Sequence, residues 1–265
     1  MIKDITLGQF FPGETFIHKL DPRVKLTVSF AFIIILFLAK GIWAYVFAAA
    51  LLLAVVRISK TSFRMLLKSL KPVFFIILFT SILNIFYVDG TVLVKFWIFE
   101  ITKEGLMTAF YMTSRIVLLI AATSILTYTT SPIALTDALE YLMAPLNKIK
   151  FPVHDFAMMM TIAMRFIPTL IEETDKIMSA QKARGADFES GNIFARAKAL
   201  IPILVPLFVS AFRRADELAT AMECRLYQGG EGRTRMKVLK LESRDYLFIV
   251  LSVISFAGIM GLSLI

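Results

Sequence analysis

The chain alternates between uninterrupted apolar runs and one extended stretch in which apolar positions recur with a helical period. A helix needs about 20 apolar residues to cross roughly 30 Å of hydrocarbon. Five runs approach or meet that length: residues 25–39, 42–58, 72–88, 105–128 and 246–265. The turns Lys40-Gly41 and Asp89-Gly90 close the first and third. The first three runs are short, so their ends borrow interfacial residues. The fourth encloses one charge, Arg115, and the fifth has none after Asp245.

Residues 130–244 follow a different pattern. Two segments there, 156–171 and 199–212, are apolar but short, and they hold Arg165 with Pro168 and Pro202 with Pro206. In the first, Phe156, Met160, Ala163, Ile167, Leu170, Thr174 and Ile177 follow alternating steps of four and three. In the second, Ala197, Ile201, Leu204, Phe208, Ala211, Ala215, Leu218 and Met222 do the same. Such steps make a seam along one helix face, suited to a partner. The opposite faces carry Arg165, Thr169, Glu172, Glu173 and Lys176 in one and Arg196, Ser210, Arg213, Arg214 and Glu217 in the other. Glu172 and Lys176 stand at a favourable i,i+4 spacing. The pattern predicts two long amphipathic helices over residues 153–184 and 192–227, each on the order of 50 Å long. A shorter helix starts at the N-cap residue Ser131, with Pro132 in its first turn, and runs to about Met143.

The fold class is therefore an all-α membrane protein. About five transmembrane helices are joined by a cytoplasmic or interfacial insert of long amphipathic helices between spans four and five. The division is residues 1–129, 130–244 and 245–265. Composition agrees: 58% of residues are hydrophobic and 18% charged, against about 45–50% and 25% in soluble domains. Basic residues gather in cytoplasmic loops. Here they are Lys3, Lys19, Arg23 and Lys25 in the N-terminal arm, and Arg57, Lys60, Arg64, Lys68 and Lys71 between the second and third runs. The other side offers Lys40, Lys95 and Lys103, the last two offset by Asp89, Glu100 and Glu104. This places the N-terminus and residues 130–244 inside and Ile265 outside. The N-terminal residues have no short apolar core with a small-residue cleavage site, so no signal peptide is expected.

The net charge of +9 fits anionic lipid on the cytoplasmic face rather than nucleic acid. The single cysteine, Cys224, excludes an internal disulfide or a multi-Cys metal site, and His18 and His154 are too isolated for a metal or catalytic cluster. There is no GxxxxGK[ST] phosphate loop, so P-loop ATP hydrolysis is excluded. Arg115 is a functional candidate as an intramembrane charge, but snorkelling or a carbonyl partner makes a structural role the leading one. Methionines 158, 159, 160, 164 and 178 form an adaptable surface for varied partners, or simply pack against the membrane spans. Lys182-Ala183-Arg184-Gly185 reads as a helix end: glycine suits a left-handed stop, and the cations suit the carbonyl end of the dipole.

Several segments in order resemble the transmembrane T component of energy-coupling factor (ECF) transporters, the modular ABC-type importers of vitamins and trace metals. They are Leu20-Asp21-Pro22-Arg23-Val24-Lys25-Leu26, the Ala183-Arg184-Gly185 helix end, and Met222-Glu223-Cys224-Arg225-Leu226-Tyr227-Gln228-Gly229-Gly230-Glu231-Gly232-Arg233-Thr234-Arg235. The resemblance covers nearly the whole chain. It implies two Ala-Arg-Gly helix ends, each docking in one of two ABC-type ATPase subunits: Ala183, Arg184 and Gly185 at one, and Cys224, Arg225 and Leu226 at the other. The second departs from the triplet at Cys224 and Leu226, and Gly229-Gly230 is expected to stop that helix instead. The resemblance further implies a separate substrate-binding S component docking on the long helices. No cofactor is bound by this chain, ATP and Mg being held by the partner ATPases. The seam is expected either to meet the S component or to form the crossing of the two helices. The localisation is the cell membrane.

A stand-alone secondary transporter would carry polar residues within several spans, and only Arg115 and Asn84 qualify. An intramembrane enzyme would need a His, Asp, Glu or Ser-His constellation at membrane depth, which the spans lack. Co-purification with two ATPases separates the scaffold from both.

Overall fold

The computed structural model describes residues 10–96, 99–188, 192–230 and 239–263. Two compact units emerge, one from residues 8–138 with 237–265 and one centred on residues 139–236. Residues 1–9, 97–98, 189–191, 231–238 and 264–265, which include Lys3, the tail of the Gly-rich motif and Ile265, lie outside the described residues.

The first unit holds α1 (Pro22–Leu38), α2 (Ile42–Ser59), α3 (Phe63–Leu70), α4 (Phe74–Tyr87), β1 (Val92–Phe96), β2 (Phe99–Thr102), α5 (Lys103–Thr129) and α9 (Ser243–Leu262). Its core lies where α1, α2, α5 and α9 meet, around Phe32, Leu36, Tyr45, Leu118 and Ile259. The outer surfaces are the reverse of a soluble protein's: Phe75 is 80% exposed and Ile254 63%, with Trp43, Phe79 and Val253 also open. So much contiguous apolar surface is stable only against lipid or a protein partner.

The helices α2, α5 and α9 are long and apolar enough to cross a membrane by themselves. The helix α1, with 17 residues, reaches about 25 Å. The third apolar run departs from expectation. Pro72 has no N–H to continue the ladder, so the chain forms a separate short helix, α3, before α4, bent by 63°. The basic connection between the second and third runs is thus itself helical. Leu66 is buried while Arg64 and Lys68 stay exposed. The Tyr128 hydroxyl of α5 fixes α3 by hydrogen bonds to Ser69 Oγ and the Met65 carbonyl.

The loop expected between the third and fourth runs is instead an antiparallel hairpin, with Lys95 opposite Glu100 and Phe96 opposite Phe99. It is the two-stranded exception among the described residues of an otherwise helical chain. Thr102 caps α5 by accepting the Gly105 N–H at 3.0 Å. A Cβ at Gly105 would lie 2.9 Å from the Asn84 carbonyl oxygen, so glycine permits the close approach of α5 to α4.

The Leu20–Leu26 motif proves to be a buried polar latch. Asp21 caps α1, its carboxylate accepting the Arg23 N–H at 2.8 Å and pairing with the Arg23 guanidinium at 2.8 Å. Its own N–H donates to Asp245 Oδ1 at 2.8 Å, and Asp245 and Glu242 form a capping box at the start of α9. Lys25 Nζ donates to the His18 and Thr129 carbonyls at 3.0 and 2.9 Å. Burial pushes the Asp21 carboxyl upward, but the hydrogen bonds and charge of Arg23 outweigh it and hold its pKa below the ordinary value.

The second unit contains a 3-10 turn (Ala144–Ile149), α7 (Val153–Ala183) and α8 (Ile193–Cys224). The connecting helix α6 (Pro132–Met143) spans the division, and Ser131 Oγ accepts the Ala134 N–H at its start. Both long helices run through internal prolines. Pro206 cannot donate to the carbonyl of Pro202 four residues earlier. Gln181 Nε2 from α7 reaches that carbonyl in a long hydrogen bond of 3.5 Å.

Candidate functional site

The two long helices end in the same backbone motif. At the end of α7 the Ala186 N–H donates to the Gln181 carbonyl and the Gly185 N–H to the Lys182 carbonyl, both at 3.0 Å. At the end of α8 the Tyr227 N–H donates to the Met222 carbonyl at 3.0 Å and the Leu226 N–H to the Glu223 carbonyl at 2.8 Å. Each is a Schellman closure, with Arg184 and Arg225 in the equivalent cap position.

The left-handed residue of the first closure is Gly185, at φ +88°, and that of the second is Leu226, at φ +56°. Gly229 is also left-handed, at φ +89°, but it lies beyond the closure. The expectation that Gly229-Gly230 would stop α8 is therefore corrected: Leu226 does so itself. Left-handed backbone costs a residue with a side chain about 1–2 kcal/mol, and Leu226 is 81% exposed, so no packing within the described residues offsets it.

Ala183, Arg184, Gly185, Cys224 and Arg225 are all exposed as well. Among the described residues neither arginine is held in an ion pair. Both guanidiniums stand at a carbonyl-rich helix end with their charge available.

The seam divides into two parts. Met160, Ile167 and Leu170 on α7 and Ala211, Leu218 and Met222 on α8 are half-buried, while Phe156, Ala163 and Ala215 are exposed. Ile201, Leu204 and Phe208 are open, Phe208 to 61%, and the Phe208 and Phe212 rings stack at 6.5 Å. On α8 it is Ile203, one helix face away, that is buried. Glu173 and Arg214, expected on the faces opposite the seam, reach across between the helices, with Nη2 to Oε2 at 3.0 Å. The crossing of α7 and α8 is thus rotated away from the upper seam of α8, whose apolar face is left open.

Arg115 meets an aromatic partner rather than a carbonyl. Its Nε and Nη2 donate to the Tyr45 hydroxyl at 3.0 and 2.8 Å, and its guanidinium lies 5.3 Å from the centre of the Phe37 ring. Tyr45 is buried and passes the contact to the Leu36 carbonyl. These contacts give Arg115 a structural role joining α1, α2 and α5. Asn84 donates to the Thr80 carbonyl of its own helix at 2.8 Å.

Sequence reasoning missed the link from Asp21 to Asp245, although Glu242 and Asp245 stand at capping-box spacing immediately before an apolar run. It also missed the bond from Gln181 to Pro202, which no periodicity records.

Helices long and apolar enough to cross a membrane, with large apolar residues on their outer surfaces, define a multi-pass membrane protein. The cobalt transport protein family, CbiQ, matches residues 13–236. An energy-coupling factor transporter transmembrane protein, EcfT, of Clostridium kluyveri is 56% identical over 249 residues, covering 93% of this chain and 92% of that protein. The EcfT of Ruminiclostridium cellulolyticum is 54% identical, covering 96% and 95%, and that of Bacillus subtilis 47%, covering 94% and 95%. The chain belongs to the EcfT family, the transmembrane components of energy-coupling factor transporters.

Proposed function

We propose that the chain is the scaffold and coupling subunit of an ECF importer for a vitamin or another micronutrient. Two cytoplasmic ATPases, which bind ATP and Mg, hold the ends of α7 and α8 through Arg184 and Arg225. A separate S component binds the cargo and docks on the open apolar face around Ile201, Leu204 and Phe208. Closure of the ATPases moves the helix ends, and the helices carry that motion to the S component. The N-terminus and the long helices lie on the cytoplasmic side and the C-terminus outside, as the basic residues around α3 and the N-terminal arm favour.

The observation that carries this reading is the pair of matching helix ends, each presenting an exposed arginine at its cap. A cap alone needs no arginine: its charge contributes about 0.3–1 kcal/mol to a helix end. Opposite a carboxylate in a protein groove the same charge contributes severalfold more. The test is Arg184→Glu combined with Arg225→Glu, with ATPase co-purification and substrate uptake measured together. Coupled uptake is abolished and the ATPases are lost, while the protein still inserts in the membrane. Normal uptake with both ATPases retained would show the arginines to be caps.

A further inference from the structure

The two helix ends share one backbone and one arginine position, yet they differ in the residue beside that arginine. Gly185 presents no side chain, whereas Leu226 holds an isobutyl group in solvent, one residue from the Arg225 guanidinium. Glycine would make the same closure without the left-handed penalty, so the leucine is not there for the cap. Residues with side chains held in such conformations gather at binding and functional positions.

We propose that Leu226 is a specificity residue: it inserts into an apolar hollow beside the carboxylate that meets Arg225, in one of the two nucleotide-binding subunits. The end at Gly185 fits a groove whose floor closes directly over the backbone. The partner feature is thus a leucine-sized recess lined by apolar side chains at the rim of an acidic groove. A groove without the recess would meet Leu226 with a clash, and a groove with it would leave a void over Gly185. The two ends therefore cannot exchange ATPase sites at equal affinity, which fixes the orientation of the chain on its ATPase pair. This inference rests on the docking reading above.

The experiment isolates each end with the full transporter complex in detergent. In an Arg184→Glu background, where the α8 end is the remaining dock, Leu226→Gly is compared with Leu226→Met for retention of the ATPases on dilution. Burying a leucine contributes about 10- to 100-fold in affinity, so Leu226→Gly weakens retention by that factor and Leu226→Met restores most of it. In an Arg225→Glu background, where the α7 end remains, Leu226→Gly changes nothing. Unchanged retention of Leu226→Gly in the first background overturns the inference, provided that the double arginine reversal does release the ATPases. If the double reversal also leaves them bound, the docking reading itself is wrong. An equal loss for Leu226→Gly and Leu226→Met likewise overturns it, because a recess of leucine size accepts methionine.

Discussion

The ends of α7 and α8 are closed by the same two hydrogen bonds, but the residue that turns left-handed is Gly185 in one and Leu226 in the other. At Gly185 local propensity and final structure agree. At Leu226 they conflict, and the closure forms anyway. The pair of closing hydrogen bonds, each contributing about 0.5–1.5 kcal/mol, outweighs a backbone penalty of about 1–2 kcal/mol. A helix can thus stop where its sequence offers no glycine, provided that both carbonyls it would leave bare are satisfied.

The comparison breaks most severely at the arginines. With the other end intact, Arg184→Glu or Arg225→Glu costs about 2–5 kcal/mol in ATPase binding, roughly 30- to several-thousand-fold in affinity. Binding of purified ATPases to each single variant checks this, and the two values are expected to differ because the neighbouring residues do. A smaller effect comes from making the first end resemble the second. Gly185→Leu has open space around its Cβ, so its cost is conformational: the left-handed penalty less the chain entropy that glycine loses on folding, about 0.5–1 kcal/mol, read as a lower midpoint for thermal unfolding followed by circular dichroism. A loss far beyond this would mean that the side chain meets an obstacle.

The converse change, Leu226→Gly, relieves that penalty but adds the chain entropy of glycine, about 0.5–1 kcal/mol. The net gain in folding stability is about 0.5–1 kcal/mol, and a clear drop in the unfolding midpoint would show that Leu226 packs where the structure leaves it open. Gaining stability while losing partner affinity is the signature of a residue kept for function. The smallest effect is expected at the partly exposed pair of Glu173 and Arg214, which links α7 to α8. Arg214→Ala costs about 0.2–1 kcal/mol and leaves ATPase affinity within a fewfold of the parent.

The limits of α7 and α8 were legible to within a few residues because helical period and end signals are local properties of a sequence. The membrane class was legible for the same reason, since a run such as residues 105–128 has no polar alternative. The bend between α3 and α4 was not, because hydropathy averages over the missing N–H of Pro72. The seam gave the apolar faces of α7 and α8 but not their mutual rotation. That depends on which ridges meet which grooves, and it put Glu173 against Arg214 and left Phe208 open. Arg115 was recognised as an anomaly, but its partner Tyr45 lies 70 residues away in sequence, beyond the reach of any periodicity. Leu226 was misread because a preference for glycine was treated as a requirement.

The bond from the Asp21 N–H to Asp245 spans 224 residues, nearly the full chain, and so it also sets an order in time. At a synthesis rate of about 5–20 residues per second, the amide waits roughly 10–45 s for its acceptor. Until α9 emerges, the N-terminal end of α1 holds a polar group without its final partner, although the arm before it already meets the end of α5, where the Phe11 N–H donates to the Tyr128 carbonyl. The helix α9 thus seals one made far earlier, and a polypeptide cut short before Asp245 keeps that start unsealed.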